Sequence, residues 1–89
     1  MNLLQPQKML MLSEGLNVFR VPLPPRLENM ALAHLQIREK TGCSVVAVKR
    51  KDDLLINPDP ASVLGPGDEL VLIGSAQSEK NFAAHFAAV

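Results

Sequence analysis

Few side chains in this sequence are of the types that catalyse reactions or bind metals. The two histidines, His34 and His85, lie 51 positions apart, and the single cysteine is Cys43. No Ser/His/Asp set, no cluster of carboxylates and no metal-ligand spacing surrounds any of them. Cys43 opens a β-rich run, where a small buried hydrophobic role is more common than a reactive thiol. The sequence therefore argues against an enzyme and predicts neither a catalytic residue nor a metal site.

The most constrained polar residue is Asp68, which ends a turn rich in glycine and proline. Gly65 and Gly67 can take positive φ, while Pro66 fixes its own φ near about −65°. Asp68 can accept backbone N–H groups that such a turn leaves free, so we predict a structural role for Gly67 and Asp68. The stretch Leu70–Ile73 follows and is apolar at every position. It is predicted to be the central strand of a small sheet, covered on both faces.

Composition limits what the chain can bind. With 89 residues, it has room for one hydrophobic core, and 47% of its residues are hydrophobic but only 3% aromatic. Nine basic and nine acidic side chains cancel, which argues against a nucleic-acid partner. One cysteine is typical of a reducing compartment, and no apolar run approaches the roughly 20 residues that span a bilayer. A soluble domain without direct membrane insertion is expected.

The hydrophobic pattern predicts six elements that would hold these residues in place. Strands are predicted at Asn17–Pro22, Cys43–Lys49, Leu54–Ile56 and Leu70–Ile73, and helices at Met30–Lys40 and Ser78–Ala88. The order β-α-β-β-β-α predicts an α+β fold, in which two helices cover a mostly antiparallel sheet.

Residues 1–14 and the small sheet bear on how the domain assembles. The first 14 residues are interpreted as a linker or arm from a preceding domain, and residues 15–89 as the folded domain. A sheet this small leaves an edge and apolar surface to cover. We therefore predict a homodimer that forms across the sheet edge or the helices.

Four stretches of the sequence carry a family resemblance when they are taken together. They are Leu32-x-x-Leu35-x-Ile37-Arg38-x-x-x-Gly42, Val45-Val46-Ala47-Val48-x-Arg50, Asn57-Pro58-Asp59-Pro60 and Leu64-x-x-Gly67-Asp68-x-Leu70-Val71-Leu72-Ile73-Gly74. In this combination the chain resembles the TrkA C-terminal domain, also called the RCK C-terminal domain, of potassium channels and transporters. One departure is Asn29, where the family usually has glycine before its helix; asparagine is the next most tolerant residue there.

The resemblance implies a cytoplasmic regulatory and ligand-sensing module that dimerises with its own copy. Such a module would follow a Rossmann-type domain and belong to a channel or transporter at the inner face of the cell membrane. This sequence has no G-x-G-x-x-G, so NAD or ATP binding is not implied for it. A pure assembly domain without a ligand, or a part of another anion or cation transporter, remains the alternative.

The resemblance also implies candidate ligand residues, because some family members bind cyclic di-AMP between paired domains. The matching positions are Arg38, Ser44, Val45 and Pro60. Arg38 would pair with a phosphate, and Val45 would lie against adenine. Ser44 stands where nucleotide-binding members have asparagine, so this chain lacks an amide that would read the base edge.

Overall fold

The computed structural model describes residues 7–11, by their backbone, and residues 15–86. Its strands are β1 Gln7–Met11, β2 Leu16–Pro22, β3 Ser44–Arg50, β4 Asp53–Ile56 and β5 Glu69–Ser75. The α-helices are α1 Ile37–Thr41 and α2 Ala76–Phe86. Short 3-10 helices at Pro25–Leu27 and Leu32–Leu35 lie between β2 and α1.

The strands form one antiparallel sheet in the order β1-β2-β5-β3-β4. The predicted α+β class, with a mostly antiparallel sheet and two helices, is therefore confirmed, and β5 lies at the centre. Strand β1 was not predicted: it pairs with β2 through residues that the sequence pattern assigned to a linker or arm. The remaining residues of that arm lie outside the described part of the chain.

Strand β5 buries one face fully and the other only in part. Leu70 and Leu72 have no exposed surface, whereas Val71 and Ile73 on the opposite face are half-buried. The sequence predicted cover on both faces, because all four residues are apolar. A single copy of the chain has both α-helices on the Leu70 side, where Ile37 and the α2 phenylalanines complete one core.

The predicted helix over Met30–Lys40 is not continuous. Leu32–Leu35 form a 3-10 turn, and Gln36 then takes φ 50° and ψ 41°, the left-handed conformation, before α1 begins. A helix cannot continue through a left-handed residue, so the two short segments diverge at Gln36. Asn29, before this segment, is also left-handed, at φ 67°.

Helix α2 begins two residues earlier than the sequence predicted. Ser75 accepts a hydrogen bond on Oγ from the Ser78 N–H at 3.1 Å, which is the geometry of an N-cap three residues before its donor. The helix then places Phe82 and Phe86 in the core, where Phe82 meets Phe19 of β2 edge to face, with ring centroids 6.4 Å apart. This contact fixes α2 on the sheet.

Candidate ligand-binding site

An open cleft of about 380 Å³ lies where the 3-10 turn, α1 and the start of β3 meet the loop after β4. It combines an apolar lining with a few polar side chains. The lining residues are Leu32, Ala33, Gln36, Ile37, Arg38, Glu39, Cys43, Ser44, Val45, Pro58 and Pro60. All four candidate ligand residues of the sequence analysis line this one cleft, although they come from three separate segments.

Arg38 is the cation of the cleft. Its side chain is exposed, in the first turn of α1, and it forms no ion pair or hydrogen bond with any residue in the described part of the chain. The following Gly42 takes φ 83° and donates its N–H to the Arg38 carbonyl, which ends the helix one turn later. The guanidinium therefore has five free donors at the mouth of the cleft, a geometry suited to an anionic ligand.

Ser44 and Val45 form the floor at the start of β3. Val45 is half-buried against the core, and Ser44 is exposed with no side-chain partner among the residues 7–11 and 15–86. The register of β3 against β5 shifts between Val45 and Ala47, so a β-bulge follows directly. A bulge bends its strand and re-aims the neighbouring side chains, and this one lies directly after the two β3 residues that line the cleft.

Pro60 forms the opposite wall and is held there by the backbone. The Ala33 N–H donates to the Pro60 carbonyl at 2.9 Å, and the Leu32 N–H donates to the Ser62 carbonyl at 2.9 Å. These bonds fasten the loop after β4 to the 3-10 turn along a short antiparallel contact. The wall is therefore built by pairing of segments about 30 residues apart in sequence.

Seven lining residues were not among the sequence candidates, and three of these come from the 3-10 turn and from the residue that follows it. Gln36, Leu32 and Ala33 reach the cleft because the chain reverses its handedness at Gln36. A glutamine gives no local signal for a left-handed conformation, unlike glycine or asparagine. The sequence therefore offered no means of finding the break at Gln36. In a continuous helix these side chains would point in other directions.

Cys43 lines the cleft but is buried. Its thiol donates to the Ser78 carbonyl at 3.3 Å, and it has no exposed surface. Burial is the main cause that raises the pKa of the Cys43 thiol, and Glu79 nearby adds to the rise, whereas the hydrogen bond with Thr41 opposes it. A buried thiol with a raised pKa is a poor nucleophile, so the geometry favours a packing role.

Asp68 lies outside the cleft and links its own turn to Arg50 of β3. Its carboxylate accepts hydrogen bonds from Arg50 Nε at 3.1 Å, from Arg50 Nη2 at 2.8 Å and from the Gly65 N–H at 2.8 Å. Hydrogen bonding to Arg50, with the Gly65 N–H and the charge of Arg50, holds the pKa of Asp68 below its ordinary value, although burial opposes this. Gly67 takes φ 84°, as the turn requires.

Arg50 extends this network towards the cleft wall. Its Nη2 also donates to the Val63 carbonyl at 3.0 Å, and Val63 pairs through an isolated bridge with Ala31, next to the lining residue Leu32. Within residues 15–86, no group of three His, Cys, Asp or Glu side chains could hold a metal ion. Among the described residues that line the cleft, Arg38 is the only cation and Glu39 the only carboxylate, and the Arg50–Asp68 ion pair lies outside the cleft.

The described helices also bear on membrane crossing. Neither α1 nor α2 combines the length and the apolar character that a helix needs to cross a bilayer.

Known proteins that resemble this chain match most of its length. Ktr system potassium uptake protein A of Bacillus subtilis (strain 168) is 27% identical over 71 residues, which are 80% of this chain and 32% of that protein. The crystal structure of the GsuK RCK domain is 44% identical, with a TM-score of 0.77 over 86% of this chain and 17% of that one. This chain thus spans about a third or less of the length of these relatives.

A third comparison concerns a domain of similar size that was solved with a ligand. The RCK C domain of potassium transport protein KtrA, in complex with cyclic diadenosine monophosphate, is 25% identical, with a TM-score of 0.71 over 75% of this chain and 79% of that one. The family model described as the TrkA-C domain matches residues 17–87. The sequence motifs, the fold and this match agree, and the chain belongs to the TrkA-C domain family.

Proposed function

We propose that this chain is a cytoplasmic regulatory domain of a potassium channel or transporter, and that it senses cyclic di-AMP through the cleft at Arg38. Support for potassium transport comes from relatives that are named as a potassium uptake protein and as a potassium channel protein. The domain would act as a homodimer, joined to a Rossmann-type domain and to membrane parts at the inner face of the cell membrane. Dimer geometry would carry the signal to those parts.

The observation that carries the ligand proposal is an unpaired arginine at the mouth of an apolar cleft. Arg38 can bind a phosphate through two N–H groups, while Val45 and Pro60 offer apolar surface to an adenine ring. The KtrA domain that resembles this chain was solved with cyclic di-AMP, a ligand with two phosphates and two adenines. One chain supplies one such cleft, so two copies would engage the two halves of the ligand.

A pure assembly domain without a ligand is the second candidate. It is favoured by Ser44, whose short hydroxyl replaces the amide that the family resemblance implies for nucleotide-binding members. Serine can still donate or accept one hydrogen bond, but it cannot make the two-pronged contact of an amide with a base edge.

Calorimetric titration with cyclic di-AMP tests the proposal on the wild-type chain and on two matched variants. Arg38→Ala should weaken binding about ten- to a hundredfold, because a charge-assisted hydrogen bond contributes roughly 1.5–3 kcal/mol. Lys40→Ala, which removes a cation from the same helix but outside the cleft, should bind as the wild type does. No heat and no thermal shift for the wild type at high micromolar ligand would contradict ligand sensing and leave the assembly role.

A further inference from the structure

Strand β4 is an edge of the sheet that nothing in the described part of the chain covers. Leu54, Leu55 and Ile56 are 56%, 39% and 70% exposed, and no charge interrupts them. Soluble proteins usually protect an edge strand with a lysine, a proline or a bulge, because an open edge pairs with other strands. We propose that β4 pairs antiparallel with β4 of a second copy, about a two-fold axis that passes through Leu55. This inference rests on the proposed homodimer and adds the surface that forms it.

The hydrogen bonds between β4 and β3 show which backbone N–H and C=O groups of β4 face the open edge of the sheet. The Asn57 N–H donates to the Val46 carbonyl of β3 at 3.0 Å, and antiparallel ladders alternate residue by residue. Leu55 therefore also directs its backbone groups to β3, while Leu54 and Ile56 direct theirs to the open edge. Two copies paired about Leu55 would place Leu54 opposite Ile56 of the second copy and form four backbone hydrogen bonds.

Symmetry and charge select this register over its neighbours. Directly opposed residues must lie on the same face of a continuous sheet, so the two-fold axis has to pass through a residue. An axis at Leu54 would oppose Asp53 to Leu55, which brings a carboxylate to an apolar neighbour. An axis at Ile56 would set Asp53, Leu54 and Leu55 opposite residues beyond Ile56, where β4 has ended and Asn57 takes φ 52°, so the ladder would be lost.

The axis at Leu55 avoids these conflicts. It brings Leu54 and Ile56 into two symmetric apolar pairs and leaves Asp53 next to the neutral Asn57, which takes φ 52° just after the strand ends. Pro58 follows and has no N–H, so no further ladder hydrogen bond forms there. The edge is thus complementary to itself in one register, which is the reason to assign it to a second copy rather than to an unrelated chain.

A cysteine at the axis tests the register directly. In Leu55→Cys the two introduced thiols would form a non-hydrogen-bonded pair with Cα atoms about 4.5 Å apart, within the range that a disulfide bridges. Mild oxidation should therefore convert most of this variant to a covalent dimer on a non-reducing gel. The wild type should stay uncrosslinked because Cys43 is buried. The control Val63→Cys, also exposed but away from the edge, should crosslink far less.

Charge substitutions give a second test that does not depend on disulfide chemistry. Ile56→Lys should weaken dimerisation at least about tenfold, because each copy would bring a lysine against Leu54 of the other. Adding Leu54→Glu should restore dimerisation, since in this register the introduced carboxylate of one copy would face the introduced lysine of the other. The control Val63→Lys should dimerise as the wild type does.

Three measurements distinguish failure of the dimer, failure of the β4 surface and failure of ligand sensing. A wild-type chain that stays monomeric would overturn the proposed dimer and this surface together. A dimer that persists in Ile56→Lys, and in which Leu55→Cys crosslinks no better than Val63→Cys, would overturn the β4 surface alone. Titration with cyclic di-AMP is scored separately, so that loss of ligand sensing leaves the test of β4 intact.

Discussion

At the scale of single residues, Asp68 is the polar group on which the local structure depends most. It is 3% exposed, yet it accepts three hydrogen bonds, two of them from the guanidinium of Arg50. The sequence pointed to the turn and to its backbone donors. It gave no indication of Arg50, which lies 18 positions earlier and reaches Asp68 only because β3 and β5 are neighbours.

Asp68→Asn should lower the free energy of unfolding by about 1–3 kcal/mol at neutral pH, because a buried charged acceptor loses its ion pair. Denaturant melts of the two proteins measure this difference. Arg50→Gln should also destabilise, since it leaves the same carboxylate buried without its cation. Asp59→Asn, an exposed carboxylate outside this network, is the matched control and should change little.

The same pair predicts a pH dependence with a defined sign. The folded carboxylate has a lower pKa than the unfolded one, so protons bind the unfolded state first as pH falls. The stabilisation by Asp68 is therefore fully present above about pH 4 and is lost as pH falls through the folded pKa. As pH falls below about 4, the difference in free energy of unfolding between the wild type and Asp68→Asn should narrow, and a difference of constant size would contradict this account.

At the scale of elements, the decisive feature is the break between the 3-10 turn and α1. Gln36 adopts a left-handed conformation that costs a non-glycine residue about 1–2 kcal/mol. The surrounding structure compensates for this, because Leu35 and Ile37 on either side are both buried in the core. The break gives the cleft its shape, since Gln36 and Arg38 both line it.

Gln36→Gly should leave stability unchanged or raise it by up to about 1 kcal/mol, because glycine removes the left-handed strain at some cost in unfolded-state entropy. Lys40→Gly, inside α1, is the control and should lower stability by about 0.5–1 kcal/mol. Thermal or denaturant unfolding of both variants gives the comparison. Equal losses for the two glycines would mean that Gln36 is not left-handed in solution.

At the scale of the whole molecule, one chain leaves apolar surface that a second copy would cover. The β4 edge is exposed, and Val71 and Ile73 of β5, which β3 separates from β4, are half-buried on the sheet face away from the helices. A domain of 89 residues has a small core and a thin margin of stability, so association should add measurably to it.

The midpoint of thermal unfolding of the wild type should therefore rise with protein concentration between about 1 and 100 μM, as mass action requires for a dimer. Light scattering over the same range should show the mass move from monomer to dimer. The unfolding midpoint of Ile56→Lys should depend less on concentration than that of the wild type. A wild-type mass that stays at 9.7 kDa throughout would contradict the dimer.

The sequence by itself determined the features that depend on neighbouring residues. The apolar run Leu70–Ile73 behind a glycine-proline turn predicted the central strand, and the strand and helix patterns predicted the α+β fold. The four motifs taken together carried the resemblance to the TrkA-C family. These predictions hold because turn chemistry and hydrophobic periodicity depend on residues that are close together in the sequence.

Tertiary structure alone decided the features that depend on residues far apart in the chain. It broke the predicted helix at Gln36, where burial on both sides outweighs the local cost of a left-handed residue. It brought Pro60 against the 3-10 turn beside Arg38, and it paired Arg50 with Asp68. It also left β4 at an edge, because strand order is fixed by which faces pack together, and no local pattern encodes that choice.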